Sequence, residues 1–248
     1  MEFQNHLLQG KLIKRYKRFF ADVELEGQVV IAHVPNTGSM KGCSEPGSDC
    51  LISKVSDPTR KLQFTLEAVK ANNHWVGVNT SWPNKLAVEL FQNKILPHWI
   101  EFDSYQPEVK ISEQSRIDLA LWSSKRTEVK KWKYEDFKKH YPVHFVEIKN
   151  VTLKIEEMAQ FPDAITERGQ KHIEELGGLI KRGFTAEILF IVQRTDVDHF
   201  EPAESIDPKY AKLLKDAVKN GLKVTAVSFE VSKVGIQFYK LLKLKHIY

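Results

Sequence analysis

At 248 residues the chain is long enough to bury a full core and to form two small domains or one large one. Hydrophobic residues at 42% and charged residues at 28% describe an ordinary globular protein and exclude a disordered or low-complexity one. The net charge of +5 is modest, so its distribution carries the information. Lys11, Lys14, Arg15, Lys17 and Arg18 crowd one stretch without an acid. A second basic stretch, 122–141, holds Lys125, Arg126, Lys130, Lys131, Lys133, Lys138 and Lys139 against Glu128, Glu135 and Asp136. These two stretches carry +5 and +4 and leave the remainder net acidic. Charge gathered in this way suits a polyanion, because phosphates release counterions on binding; a solvated face is the plainer reading. Cys43 and Cys50 are too few for a disulfide framework or a four-ligand zinc site, and a reducing cytoplasm is expected. The opening MEFQNHLLQGKLIKRYKRFF lacks an apolar run before a small-residue cleavage site, so no signal peptide is expected. No stretch reaches the length of a bilayer span, so no membrane partner is expected either.

Residues 1–80 read as short strands at 12–16, 19–25, 28–34, 50–55, 62–69 and 74–79, separated by turn clusters such as NTGSMKGCSEPGSD and SDPTRK. Several short strands without a helix point to a small barrel, and a five-stranded OB-like barrel fits the length. The pattern changes at 79–84, so the second domain is taken as 81–248. There Pro83 opens KLAVELFQNKI, in which Leu86, Leu90 and Phe91 recur at helical spacing. Strand-like runs follow at 107–111, 116–122 and 143–151, then a helix at 166–182 and a buried strand at 186–193. DPKYAKLLKDAVKNG is a helix with proline in its first turn, and strands at 222–232 and 235–240 close the chain. The fold class is α/β (α+β overall): a small barrel, then an α/β domain with a mixed sheet.

Two strands carry the chemistry. Ser115-Arg116-Ile117-Asp118-Leu119 sets Asp118 between hydrophobic neighbours, and Val146-Glu147-Ile148-Lys149 sets Glu147 and Lys149 on one face by strand alternation. Phosphodiester cleavage needs a hard cation held by carboxylate oxygens, with positions left open for water and phosphate. Asp118 and Glu147 supply two ligands and the Ile148 carbonyl a third, with Lys149 placed to act on the attacking water and to offset phosphate charge. The cation expected is Mg²⁺ or Mn²⁺. The D…E-x-K pattern is short, and a surface carboxylate beside a Glu/Lys pair is the bland alternative. Glu89, at the border of the first helix's apolar face, is a further candidate ligand, with a solvated helix position as its alternative. Downstream, FPDAITERGQK opens a helix that Asp163 or Thr166 can cap, with Arg168, Gln170 and Lys171 in the first turns, where backbone N–H groups favour a phosphate. Gly169 inside that helix suggests either the close approach of a strand or nucleic-acid backbone, or simple packing. His33 beside the PNTGSM loop lines a ligand site or is structural. NTGSM either cradles a phosphate through its amides or is a tight turn, and Cys43 has no local argument for a nucleophile.

These features resemble the sugar fermentation stimulation protein A (SfsA) family over nearly the whole chain. The resemblance is carried by His33, Pro35-Asn36-Thr37-Gly38-Ser39-Met40, Gly42-Cys43, Pro46-Gly47, Val78-Asn79-Thr80, Asn84, Ser115-Arg116-Ile117-Asp118, Val146-Glu147-Ile148-Lys149-Asn150-Val151-Thr152-Leu153, Phe161-Pro162-Asp163-Ala164, Thr166-Glu167-Arg168-Gly169-Gln170-Lys171-His172, Lys209-Tyr210-Ala211 and Leu213-Leu214. It implies an OB-like domain followed by a PD-(D/E)XK restriction-endonuclease-like domain, sequence-independent DNA binding, and a regulatory role in sugar, particularly maltose, metabolism. It also implies a helix glutamine near the metal or scissile phosphate, which Gln170 matches. The sequence departs from the family in the long link WSSKRTEVKKWKYEDFKKHY, whose aromatics either stack on bases or pack on the domain. The expected DNA-contacting residues are Lys14, Arg15, Lys17, Arg18, Arg116, Lys130, Lys131, Lys133, Arg168 and Lys171. Two readings stand: a metal-dependent nuclease, and a DNA-binding module that keeps the nuclease fold without turnover. A third gives the barrel a small ligand or single strand to bind. Oligomeric state stays open, a homodimer included.

Overall fold

The computed structural model describes residues 1–57, 59–113, 115–124 and 143–248. Six strands come first: β1 (Leu8–Tyr16), β2 (Phe20–Leu25), β3 (Gln28–His33), β4 (Asp49–Lys54), β5 (Phe64–Ala71) and β6 (His74–Gly77). β1 pairs antiparallel with both β2 and β4, and β5 pairs with β4 and, in parallel, with β3 through Ala32↔Phe64 and His33↔Thr65. That last pairing closes the expected five-stranded barrel and removes its free edges. Leu12, Val23, Ala32, Ile52 and Leu66 fill the interior and are fully buried. β6 hangs on β5 and turns toward the rest of the molecule, where the Gly77 N–H donates to the Gln193 carbonyl at 2.8 Å. A Cβ at position 77 would fall 2.6 Å from Gln193 Oε1, so only glycine lets the two segments meet.

The chain continues through α1 (Trp82–Gln92), β7 (Ser104–Lys110), β8 (Arg116–Trp122), β9 (Val143–Val151), β10 (Lys154–Ile155), β11 (Met158–Phe161) and α2 (Glu167–Lys181). It ends with β12 (Thr185–Val192), β13 (His199–Pro202), α3 (Pro208–Lys219), β14 (Lys223–Val231), β15 (Ile236–Leu241) and β16 (Lys243–Leu244). The main sheet has the order β15-β14-β12-β9-β8-β7, with β9, β12 and β14 parallel and the other pairings antiparallel. Parallel neighbours need long crossovers, and α2 and α3 supply them. Central strands covered on both faces read as continuous apolar runs, as AEILFIV does in β12. On one face Phe145, Phe190 and Ala120 pack against Ile173 and Leu176 of α2 and Leu214 of α3. On the other, Val146, Ile148, Leu189 and Leu121 pack against Leu86 and Leu90 of α1 and reach Leu51 and Ala68 of the barrel.

The mixed-sheet α/β expectation holds, with one addition. A small sheet, β10-β11-β13-β16, lies beside the main one and was not foreseen. Thr166 caps α2, its side chain accepting from the Gly169 N–H at 3.0 Å, and Asp207 caps α3 from Tyr210 N at 2.9 Å. Among the described residues no helix is long and apolar enough to cross a membrane.

Candidate active site

The site forms where β8 and β9 part. Their ladder runs from Trp122↔Val143 to Leu119↔Val146 and ends there. One residue beyond, the carboxylate of Asp118 takes a backbone donor instead: Oδ2 accepts from the Ile148 N–H at 2.8 Å. Oδ1 receives a longer bond, 3.3 Å, from Nδ2 of Asn84 in the first turn of α1. Alternation then turns Glu147 and Lys149 together toward α2, while Ile148 enters the opposite core. Glu147 is almost fully buried, and its Oε1 accepts from Lys149 Nζ at 2.6 Å. His172, on α2, contacts the same oxygen, and its Nδ1 lies 2.9 Å from Lys149 Nζ. In this triangle Nδ1 either donates to the carboxylate or accepts from the ammonium, depending on the tautomer.

The two carboxylates have opposite electrostatic settings. Burial and the neighbouring Glu147 charge push the Asp118 carboxyl up to about 6, against the relief offered by the Ile148 N–H and Lys149. Burial also works against Glu147, but bonding to His172 and Lys149 overcomes it and holds this carboxylate below its ordinary range. Glu147 Oε2 is buried with no hydrogen-bond partner among the described residues. Two acidic groups that repel each other, one with an unpaired buried oxygen, are a donor set that suits a hard divalent cation. Among the described residues no three His, Cys, Asp or Glu side chains form a metal-holding group. A cation here would therefore draw on Asp118, Glu147 and backbone oxygen such as the Ile148 carbonyl.

These residues floor a cleft of about 330 Å³ walled by Thr80, Pro83, Asn84, Phe161, Arg168 and Gly169. It shares Asp118, Arg168 and His172 with a second cleft of about 510 Å³, where Lys110, Arg116 and Lys171 face Glu108 and Glu113. Of the basic residues expected to meet DNA, Arg168, Lys171 and Arg116 thus border the site. Arg116 is exposed, 3.6 Å from Glu108, and Lys171 lies 3.6 Å from Glu175.

Other expected residues lie elsewhere. Gln170 is buried with its amide 3.1 Å from each Asp207 carboxylate oxygen, so it bolts α2 to the start of α3 and does not reach the carboxylate pair. It precedes His172 by two positions, about 200° around the helix, so both cannot face β9. Glu89 follows Asn84 by five positions, about 140° around α1. Its Oε1 binds the amino group of Met1 at 2.7 Å instead. Arg15 is also structural: its guanidinium donates to the carbonyls of Arg18, Asn36, Gly38 and Ser39. Lys14 sits 3.4 Å from Asp22, and Lys17 and Arg18 are exposed at the β1–β2 turn. Lys130, Lys131, Lys133 and most of the basic aromatic link lie outside the described residues.

The remaining alternatives resolve by geometry. The NTGSM loop does cradle an anion, but an internal one: Ser39 N, Ser39 Oγ and Met40 N donate to Asp163 Oδ2 at 2.9, 2.8 and 3.3 Å. Asp163 thus ties barrel to sheet and leaves the α2 cap to Thr166. Gly169 reflects packing, since a Cβ there would meet Thr166 Cγ2 at 2.8 Å and the Tyr210 ring at 3.2 Å. Burial pushes the thiols of Cys43 and Cys50 up to about 11 and about 12, which rules against a nucleophile. The sequence reading missed His172 and Asn84 as site residues. The available signals were His172 three positions beyond Gly169, and a side-chain amide next to Pro83 at a helix start.

Comparison with known proteins sets this site in a family. The model of the sugar fermentation stimulation protein RE domain matches residues 81–235, and that of the SfsA N-terminal OB domain matches 13–78. The chain belongs to the SfsA family. A sugar fermentation stimulation protein homolog of Bdellovibrio bacteriovorus is 44% identical to it over 247 residues, 96% of each chain. One from Geotalea uraniireducens is 42% identical over 237 residues, covering 95% of this chain and 96% of its own. Among solved structures, Pyrococcus furiosus SfsA in complex with Ca²⁺ superimposes with a TM-score of 0.84 at 26% identity, over 99% of this chain and 98% of that one. The SfsA architecture of barrel followed by mixed sheet therefore spans the molecule.

Proposed function

We propose that this SfsA-family protein binds DNA without sequence preference and holds a divalent cation, Mg²⁺ or Mn²⁺, at Asp118 and Glu147 for phosphodiester hydrolysis. One observation carries the reading: half-buried Asp118 and buried Glu147 share a strand fork, the first pushed up to about 6 and the second with an oxygen that no described residue satisfies. A dication relieves both defects. The Pyrococcus furiosus relative, solved in complex with Ca²⁺, supports it, since Ca²⁺ and Mg²⁺ both take oxygen ligands. A bound cation supplies Lewis acidity and a more acidic water. The protein's own residues do the rest. Lys149 sets positive charge on the cleft floor, and Arg168 and Lys171 line the approach along the first turns of α2, where a phosphate is favoured. Asn84 and the Ile148 N–H fix the orientation of Asp118.

One feature favours a second reading, DNA binding without turnover. Lys149 Nζ donates to Glu147 and lies 2.9 Å from His172 Nδ1, which leaves it one of three N–H bonds for a water or phosphate in the tautomer whose Nδ1 accepts. Purified protein incubated with Mg²⁺ or Mn²⁺ and supercoiled, nicked or single-stranded DNA separates the two. Cleavage lost in Asp118→Ala and Lys149→Ala, with the fold retained, establishes the nuclease. Salt-sensitive binding without cleavage of any form leaves the second reading. We further propose a reducing cytoplasm as its compartment, since both thiols are free, and regulation of sugar, particularly maltose, metabolism as its setting. Altered growth on maltose in a deletion strain would test the latter.

A further inference from the structure

We infer that the end of the β1–β2 hairpin is a stacking surface for unpaired bases, so that the DNA bound here carries a single-stranded stretch beside the cleft. The inference rests on the DNA reading above and narrows its substrate.

Tyr16 and Phe20 close the hairpin as a cross-strand pair, and their rings stack with centroids 5.6 Å apart at 18°. His33 of β3 continues the row opposite Phe20. All three are only half-buried, and Phe19 at the tip is 44% exposed. Single exposed apolar residues need no explanation, but rings aligned on one sheet face and surrounded by cations do. Lys14 Nζ lies 5.5 Å from the Tyr16 ring centre. Lys17 and Arg18 occupy the turn itself with φ of 46° and 63°, a backbone shape that non-glycine residues rarely take. Burial, and then the charge of Arg60 from the β4–β5 loop, lower the pKa of His33.

The acid on this row, Asp22, is already engaged. Its Oδ1 accepts from Tyr16 Oη at 3.0 Å and its Oδ2 sits 3.4 Å from Lys14. Asp22 thereby fixes the Tyr16 ring, and a preorganised ring loses less entropy when a base stacks on it. A sugar could also stack here, but sugar hydroxyls call for free carboxylates and amides, and this rim offers ammonium and guanidinium groups. Flat rings bordered by cations match bases on a phosphate backbone.

The surface is also fixed relative to the cleft. Arg15, next to Tyr16, grips the carbonyls of Asn36, Gly38 and Ser39, and that loop holds Asp163. Thr80, which lines the cleft, donates its N–H to the Pro35 carbonyl at 3.3 Å. Thr80 and the loop that Arg15 grips thus link the cleft wall to the hairpin that carries the rings.

Fluorescence anisotropy in EDTA at fixed salt tests the inference with three probes: a thymidine oligomer, a blunt duplex, and that duplex with a single-stranded tail. The tailed duplex is expected to bind about tenfold tighter than the blunt one, and Phe19→Ala and Tyr16→Leu each to remove on the order of tenfold of that gain. Blunt-duplex binding by both variants stays as in the wild type. A tail that adds nothing, or a gain that survives loss of both rings, overturns the inference while blunt-duplex binding keeps the DNA reading. Failure to bind any DNA sinks both. Photocrosslinking of the unaltered protein to a 5-iodouracil tail needs no variant to fold. Adducts within 16–20 support the surface, and adducts confined elsewhere refute it.

Discussion

Asp118 and Glu147 compete for one pool of positive charge, and Glu147 wins it through Lys149 and His172. Asp118 is left with a pKa of about 6 against an ordinary 3.8, chiefly through burial. Between those values the folded chain keeps a proton that the unfolded chain has released. The linkage sign is therefore negative: stability from this group is full at low pH and is lost as pH rises through about 6. Asp118→Asn is expected to stabilise the cation-free protein at pH 7 by on the order of 2 kcal/mol, with little effect near pH ~4. Urea unfolding in EDTA at both pH values measures it, and equal midpoints at neutral pH would contradict the strain assigned to Asp118. Glu89 makes the complementary case. Its carboxylate binds the Met1 amino group, so Glu89→Gln is expected to leave Mn²⁺ affinity within about twofold, whereas Glu147→Gln lowers it at least about tenfold. Isothermal titration calorimetry reads both, and an equal loss in Glu89→Gln would place that residue at the ion after all.

At the scale of the element, α2 tests how closely the site depends on packing. A Cβ at Gly169 would press on Thr166 and the Tyr210 ring, whereas nothing lies within 4 Å of one at Gly178. Gly169→Ala is expected to cost about 1–3 kcal/mol by overpacking, and Gly178→Ala to gain about 0.5–1 kcal/mol of helix propensity. Thermal unfolding of the two variants checks the opposite signs. The same helix shows what the sequence could disclose. Strand alternation is coarse, with only two faces, so Glu147 and Lys149 were legible as neighbours and Ile148 as core. Helical phase is finer. Each residue turns about 100°, and whether Gln170 or His172 faces β9 depends on how α2 is rotated, which the apolar stripe leaves loose by about one residue. Asn84 and Glu89 differ for the same reason. The small sheet escaped because two- to four-residue strands such as Lys154–Ile155 and Met158–Phe161 show too few alternations to reveal a period.

For the whole molecule the question is how barrel and sheet stay in register. Besides the apolar packing, three polar or close contacts do it among the described residues: Asp163 held by the NTGSM loop, Gly77 against Gln193, and buried Glu67 of the barrel, whose Oε2 accepts from Asn79 at 2.7 Å and from Trp82 of α1 at 2.6 Å. Asp163→Ala leaves the Ser39 and Met40 donors without their acceptor and is expected to cost on the order of 2 kcal/mol. In scanning calorimetry the barrel should then melt ahead of the sheet. One unsplit transition at the wild-type midpoint would show that the remaining contacts suffice. The cysteines offer a way to watch this without any substitution. Both lie in the barrel core with thiols made unreactive by burial, and the rest of the sequence contains none. A thiol-specific label can enter only when the barrel opens, so its rate of incorporation is a clock for that half of the molecule alone.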